Sequence, residues 1–347
     1  MSNINSISNK IALVAGGAGF IGSHLVERLL DLNNKVIVLD NLSSGRLENL
    51  PSNSRLLTFV KDDIRKLVLV KKLARKSDFV FHLADFIPNT DQIGAGHVIK
   101  FSMKKPFLDL DICVRGTLNV LEATKQSHAK VIFFSTAAVY GEPLENPIRE
   151  TTRVDPISPY GVSKLAAETY CRLFNKMYDL PIIVARLFNV YGPRQRKYVM
   201  HDILLNLEKD SETLEILGSG NQERDFIYVN DAVDAIIFLS TKEESYGQTF
   251  NIGTGISTSI KDLVNHITKI LDIKPVVTYT DFSWKGDIKA LVADITKLKR
   301  MGFTPKHGLV QGIEELIRWK QNESYHHSCI ARSSTNSGAK WMQGLGK

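Results

Sequence analysis

Two residues in Ser158-Pro159-Tyr160-Gly161-Val162-Ser163-Lys164 have the type and spacing to move a proton. A free phenol ionises near ~10 and is a poor base at neutral pH. Ser158 and Pro159 read as the N-cap and first residue of a helix, which sets Tyr160 and Lys164 four apart on one helical face. An ammonium placed there favours the phenolate. On its own such a pair is common on helix surfaces, and a second segment gives it meaning. Ile132-Phe133-Phe134-Ser135-Thr136-Ala137-Ala138-Val139-Tyr140-Gly141 is an apolar strand running into small hydroxyl residues. A hydroxyl at the C-terminal end of a strand faces the crevice where open α/β sheets bind ligands. Thr136 can then share a hydrogen bond with the oxygen that Tyr160 deprotonates, although a plain Ser/Thr turn at a strand end has the same look.

A third segment says what lies beside that oxygen. Ile11-Ala12-Leu13-Val14-Ala15 is a short apolar run suited to a buried parallel strand. Gly16-Gly17-Ala18-Gly19-Phe20-Ile21-Gly22 follows at once, and Ile21, Leu25, Leu29 and Leu32 keep helical spacing. Strand, glycine turn and helix form the context of a dinucleotide site, in which amides at the helix start hold a pyrophosphate. Gly16, Gly19 and Gly22 give GxxGxxG rather than GxGxxG. A second apolar strand, Val36 to Leu39, ends in Asp40. An acid about twenty residues on binds the adenosine ribose hydroxyls and repels a 2′-phosphate. NAD is therefore expected over NADP, with Arg46 near enough to argue the other way. A nicotinamide cation would further favour the Tyr160 phenolate. The three segments together imply hydride transfer between an alcohol carbon and a nicotinamide.

The elements that must position these residues alternate in type. Strand and helix patterns follow one another from Ile11 to about Arg186, which predicts an α/β fold: a Rossmann-type doubly wound parallel sheet with a smaller C-terminal substrate-binding part. Further strands are expected at Leu56–Val60, Phe79–Leu83, Val131–Phe134 and Ile182–Ala185, and long helices from Pro106 to His128 and Pro159 to Tyr178. Residues 10–190 form the expected dinucleotide-binding domain and 191–320 the part that mainly binds substrate. Ile313 to Trp319 reads as the last helix; from Gln321 onward polar residues dominate, and 321–347 is expected to be disordered. The net charge of +7 is spread rather than blocked and points to no nucleic-acid partner. No apolar run is long enough to span a bilayer, and Met1 to Asn9 lacks the apolar core of a signal peptide. Cys113, Cys171 and Cys329 are scattered, and no HExxH occurs, so a cytoplasmic protein without disulfides or bound metal is expected. His82 reads as a core residue at a strand end.

The ordered series of motifs resembles the extended short-chain dehydrogenase/reductases, and among them the NAD-dependent nucleotide-sugar epimerase/dehydratase family of the UDP-glucose 4-epimerase kind. The likeness covers Lys10 to Trp319. It rests on the glycine turn, Leu39-Asp40-Asn41, Asp63-Ile64, His82-Leu83-Ala84, Gly116-Thr117, Ser135 to Gly141 and the Tyr160/Lys164 pair. Arg186-Leu187-Phe188-Asn189-Val190-Tyr191-Gly192-Pro193, Arg224-Asp225-Phe226 and Gly286-Asp287 continue it.

The resemblance implies NAD contacts at Gly16, Gly19, Phe20, Ile21, Gly22, Asp40, Asn41, Ser44, Gly45, Asp63, Ile64, Leu83 and Ala84, besides Tyr160 and Lys164. Asp63 and Ile64 would border the adenine. Thr136 would orient the sugar 4-hydroxyl, Tyr160 would act as acid/base, and Lys164 would bind the nicotinamide ribose. Asn189, Arg224 and Asp287 would hold the substrate, a nucleotide sugar expected to be UDP-linked. Arg224 also suits a diphosphate by its planar donors; the competing reading is a surface arginine bridging to Asp225. A homodimer through the two long helices is implied as well. The family's dehydratases and decarboxylases carry acids just after the threonine, where this chain has Ala137 and Ala138, which favours an epimerase. A non-catalytic dinucleotide sensor is the reading from another class. Several positions depart from the family pattern: Asp85 where a small neutral residue is usual, Cys113 for asparagine, a long segment from Phe86 to Lys105, and Trp284-Lys285 for a phosphate-binding arginine. Leu291, near the position that limits the sugar pocket, leaves room for an N-acetyl group.

Overall fold

The computed structural model describes residues 7–85, 97–127, 129–280 and 288–332. Strands buried on both faces need consecutive apolar residues, and those runs build the centre of the molecule. They are β1 (Ile11–Ala15), β2 (Lys35–Asp40), β3 (Leu57–Lys61), β4 (Phe79–His82), β5 (Lys130–Thr136) and β6 (Ile182–Leu187). Shorter strands follow: β7 (Asn189–Tyr191), β8 (Thr213–Ile216), β9 (Glu223–Arg224) and β10 (Phe226–Tyr228). β11 (Thr249–Ile252) then returns to the main sheet, before β12 (Thr258–Ser259), β13 (Val276–Tyr279) and β14 (Ala290–Leu291). The sheet order is β3-β2-β1-β4-β5-β6-β11 with every pairing parallel, the doubly wound arrangement expected from the sequence.

Helices cover both faces. They are α1 (Phe20–Asp31), α2 (Leu67–Ala74), α3 (His97–Lys104), α4 (Pro106–Leu110), α5 (Gly116–Thr124) and α6 (Pro159–Tyr178), then α7 (Tyr198–Lys209), α8 (Val229–Ser240), α9 (Ile260–Leu271), α10 (Thr296–Arg300) and α11 (Leu309–Arg332). In β5, Val131 and Phe133 pack with α2, α5 and α6, while Ile132 and Phe134 pack with α1 and α8. The period of two along a strand thus feeds two cores. Outside the sheet, β7 pairs with β10, β9 lies between β12 and β14, and β13 pairs with β8.

α6 begins and ends where the sequence places it: Ser158 Oγ accepts the Gly161 amide at 3.1 Å, and Pro159 takes the first turn. The helix expected from Pro106 to His128 runs without a break from Pro106 to Thr124, with a π turn over Asp111–Arg115 between α4 and α5; His128 lies outside the described residues. Thr117 Oγ1 donates to the Cys113 carbonyl at 2.6 Å inside that turn, a side-chain bond that competes with the backbone ladder. Gly116 lets the helix pack on the connection between β3 and α2, since a Cβ there would stand 2.9 Å from Ile64 Cγ2.

The expected end of order at Gln321 is corrected: α11 runs on to Arg332. Ile313, Leu316 and Ile317 bury its first part. Its extension is tied back by Lys320 Nζ to Glu208 at 2.9 Å, and by Arg196 to Glu323. Residues 333–347 lie outside the described residues. Among the described residues, no helix is long and apolar enough to cross a membrane.

Candidate active site

The strand order reverses between β1 and β4, and ligands in such sheets sit at the carboxyl ends of the strands where this happens. A cavity of about 1090 Å³ opens there. Gly16 leaves β1 at φ +83°, and a Cβ on it would lie 2.8 Å from the Ala84 amide nitrogen. A Cβ on Gly22 would lie 2.2 Å from the Gly16 carbonyl oxygen. A Cβ on Gly19 would meet only that same oxygen, at 3.3 Å, so the start of α1 has backbone open to the cavity. Gly16, Gly19, Phe20, Ile21 and Gly22 all line it. This cradle fits a dinucleotide pyrophosphate, which needs close backbone approach at a helix N-terminus.

Asp40 ends β2 and also lines the cavity. Its carboxylate accepts the amides of Ala18 at 3.0 Å and Leu42 at 2.8 Å. Burial pushes its pKa up, and those amides pull it back. Gly45 lies against it: a Cβ there would stand 2.9 Å from both carboxylate oxygens. Asn41, Ser44, Asp63, Ile64, Leu83 and Ala84 share the same wall, as does Arg46. The Asp63 carboxylate is already committed, to Arg65 through two bonds of 2.9 and 2.8 Å and to Asn41 at 3.0 Å. Arg65 above all holds it well below the usual carboxylate range.

Thr136, Tyr160 and Lys164 meet at the end of β5 and the start of α6, all lining the cavity. The electrostatics there differ from the sequence expectation. Tyr160 is raised well above an ordinary phenol, by burial first and by the Asp85 carboxylate second; the Thr136 hydroxyl acts the other way. Asp85 explains why Lys164 does not prevail: their charged groups are 3.0 Å apart. Burial would lower Lys164, but Asp85, together with Cys113 and Asp109, offsets it and leaves the ammonium above its usual value. Asp85 is thus a buried ion-pair partner and not a loop acid turned to water. Cys113 is buried in the π turn, and burial pushes its thiol up, so it is an inert packing group.

At the far end Asn189 and Arg224 line the cavity with Leu291. Arg224 does not bridge to Asp225. The Asp225 carboxylate is fully buried and accepts from Thr254 Oγ1 at 2.6 Å and from the amides of Thr254, Gly255 and Ala293 at 2.8, 2.8 and 3.2 Å. Asp287, Trp284, Lys285 and the segment 86–96 lie outside the described residues.

The sequence reading missed two groups. Arg194, Arg196, Lys197 and Tyr198 line the cavity just after Gly192-Pro193. Burial lowers Lys197 to about 8, and Tyr198 sits at φ +71°, a backbone strain that tends to cluster at functional sites. The basic run Arg194-Gln195-Arg196-Lys197 was the available signal. The second group is a buried network beneath Thr136. Arg186 pairs with Glu168 through bonds of 2.9 and 2.7 Å, Ser135 Oγ donates to Glu168 at 2.6 Å, and Arg186 donates to the Tyr140 hydroxyl at 2.9 Å. Tyr140 in turn donates to Asn251 Oδ1 at 2.6 Å.

A doubly wound sheet with a glycine cradle at its switch point and a Tyr/Lys pair beside a strand-end threonine defines a dinucleotide-dependent enzyme of the short-chain dehydrogenase/reductase type. The model of the NAD dependent epimerase/dehydratase family matches residues 12–253, and the chain belongs to that family, whose cofactor is NAD. It is 35% identical over 319 residues to a putative UDP-glucose 4-epimerase of Methanocaldococcus jannaschii, covering 90% of this chain and 99% of the relative. It is 34% identical over 321 residues to a UDP-glucose 4-epimerase of Mycolicibacterium smegmatis, covering 90% and 99%. The UDP-N-acetylglucosamine 4-epimerase of Methanobrevibacter ruminantium, solved with UDP-N-acetylmuramic acid, superposes with a TM-score of 0.82 at 35% identity, over 91% of this chain and 99% of that one. More distant relatives carry decarboxylase and dehydratase names.

Proposed function

We propose that this chain is an NAD-dependent nucleotide-sugar 4-epimerase, acting on a UDP-linked hexose or N-acetylhexosamine through a transient 4-keto sugar. The observation that carries this reading is the wall beside Thr136. Ala137 and Ala138 line the cavity there, and their side chains can neither protonate a leaving hydroxyl nor act as a second base. Asp85, whose carboxylate acts on Tyr160, is paired with Lys164. Epimerisation needs one acid/base; dehydration needs more.

In this reading Gly16, Gly19, Phe20, Ile21 and Gly22 hold the pyrophosphate, and Asp40, with Asn41, Ser44 and Gly45 around it, takes the adenosine ribose. Asp63 and Ile64 border the adenine, and Leu83 and Ala84 lie beside the nicotinamide half. NAD, when bound, accepts a hydride from C4 and returns it. Tyr160 takes the C4 hydroxyl proton as the hydride leaves and gives it back at the end. Thr136 orients that hydroxyl, and Lys164 holds the nicotinamide ribose. Asn189 and Arg224 keep the diphosphate fixed while the keto sugar turns over, so firm binding at one end permits loose binding at the other. Asp287 is proposed to assist them. Leu291, 8% exposed, leaves space beside the sugar for an N-acetyl group.

Proton NMR of the NAD-loaded protein with UDP-glucose, UDP-galactose, their N-acetyl forms and UDP-glucuronate tests the reading. A new C4 epimer at unchanged mass is expected. Loss of mass would establish a dehydratase or decarboxylase instead, and no change with any substrate would favour a non-catalytic sensor. Tyr160→Phe is expected to abolish turnover with NAD still bound; full activity in that variant would remove its assigned role.

The chain is further proposed to act as a homodimer. Val162, Tyr170, Leu173 and Met177 of α6 are exposed, as are Phe107 and Leu110 of α4. Apolar side chains in such a stripe call for a partner surface, and two copies would form a four-helix contact. Light scattering at a mass of one chain, 38.9 kDa, would refute this.

A further inference from the structure

The reaction centre holds one more acid than the proposed reaction uses. Asp85, on the stretch that follows β4, has a side chain only 6% exposed, and its Oδ2 lies 3.0 Å from Lys164 Nζ, whose side chain is 4% exposed. Lys164 Nζ also donates to the Phe134 carbonyl at 2.8 Å. An ammonium has three protons to donate. Two are directed at Asp85 and Phe134, which leaves one for a ligand.

We propose that Asp85 is a positioning residue of this centre: it clamps the Lys164 ammonium against the Phe134 carbonyl and withholds that positive charge from the Tyr160 phenol. The inference rests on the reading of Tyr160 as the proton acceptor. Tyr160 is faced from other elements by Asp85, by Tyr198 at the start of α7, by Cys113 in the π turn and by Thr136 at the end of β5. Lys164 is faced by Asp85, Cys113 and Asp109 of α4, and its own charge acts on His82 at the end of β4. Burial pushes the Cys113 thiol and the Asp109 carboxyl toward their neutral forms. After burial, the Asp85 carboxylate, 3.0 Å from the Lys164 ammonium, is the group that most opposes ionisation of Tyr160.

The test is an ultraviolet difference titration of phenolate absorbance in the full-length, NAD-loaded protein. Subtracting the Tyr160→Phe spectrum isolates Tyr160. In Asp85→Asn and Asp85→Ala the Tyr160 midpoint is expected at least about one pH unit lower than in the wild type, as for removal of a neighbouring like charge. Asp85→Glu, which keeps the charge, is expected to restore it. The acid limb of the kcat profile should move down with the midpoint, while KM for the nucleotide sugar stays. A midpoint unmoved in both neutral variants overturns the proposal. So does failure of both to fold, which would make Asp85 a structural residue. The titration needs no turnover: a shifted phenol without epimerisation would overturn the functional reading alone, and epimerisation with an unmoved phenol would overturn this inference alone.

Discussion

Replacing Glu168 by Gln keeps the shape of a buried side chain and removes its charge. Glu168 is wholly buried and Arg186 is 3% exposed. The carboxylate accepts four hydrogen bonds: two from Arg186, one from Ser135 and one from Arg172 Nη1 at 3.1 Å. In Glu168→Gln the Arg186 guanidinium stays ionised, because an arginine is effectively always protonated, and it loses its counter-charge at depth. Breaking a buried pair from one side costs about 3–5 kcal/mol. Unfolding entropy near the melting point is about 2.1 cal/mol/K per residue. For 347 residues that gives about 0.7 kcal/mol/K, so Tm should fall by about 4–7 °C. Differential scanning calorimetry of the apo protein at neutral pH reads this directly. The double variant Glu168→Met, Arg186→Met should recover more than about half the loss, since an apolar pair of similar volume carries no desolvation cost. A Tm within about 1 °C of wild type for Glu168→Gln would refute the reasoning.

Two further perturbations separate the glycine cradle from the core. Gly22→Ala sets a propensity gain of about 1 kcal/mol in a helix against a Cβ 2.2 Å from the Gly16 carbonyl oxygen and 2.8 Å from Gly17 Cα. Both neighbours are backbone, so the turn must open; NAD affinity is expected to fall at least about tenfold by calorimetric titration, and wild-type affinity would show that the turn yields. His82 concerns acid stability. Its Nε2 meets Thr117 Oγ1 at 3.0 Å, and that hydroxyl donates to the Cys113 carbonyl, so Nε2 carries the proton. Nδ1 is buried without a partner among the described residues. Burial, and then Lys164, lowers the imidazole to about 3. The unfolded chain therefore binds a proton that the native one does not, and stability is lost as pH falls from about 6.5 toward 3, by up to about 1.4 kcal/mol per pH unit. In His82→Gln this slope should vanish from urea unfolding measured between about pH 7 and 5; parallel profiles for the two proteins would sink the assignment.

What could be read without the structure is what repeats or punctuates. Ile11 to Ala15 and Ile132 to Phe134 declare buried parallel strands because both faces must be apolar. The glycine turn declares itself because Gly16 and Gly22 have no room for a Cβ. Ser158 and Pro159 fix the start of α6 by local chemistry alone. The π turn at Asp111–Arg115 was hidden because its cause is partly remote: Asp111 pairs with Arg65, and Gly116 packs on Ile64. The end of α11 was misjudged for a related reason. Polar composition after Gln321 suggests disorder only if those side chains lack partners, and Glu323 finds Arg196 across the fold.

The reaction centre shows the same division at higher stakes. Spacing on one helix puts Lys164 near Tyr160, and helix geometry alone implies that the ammonium favours the phenolate. Whether it does depends on what else the ammonium touches, and Asp85 arrives from the end of β4, where no periodicity announces it. The balance at Tyr160 is decided by burial and by Asp85 before the helical neighbour is considered. A four-residue spacing therefore supplies proximity, while the sign of the resulting shift belongs first to burial and then to the sheet that brings a second charge to the same ammonium. The ordering of effects also argues for where the phenol's activation must come from. With Lys164 held between Asp85 and Phe134, an oxidised nicotinamide would add positive charge in favour of the phenolate, which in the proposed reaction would tie loss of the C4 hydroxyl proton to the presence of the group that takes the hydride.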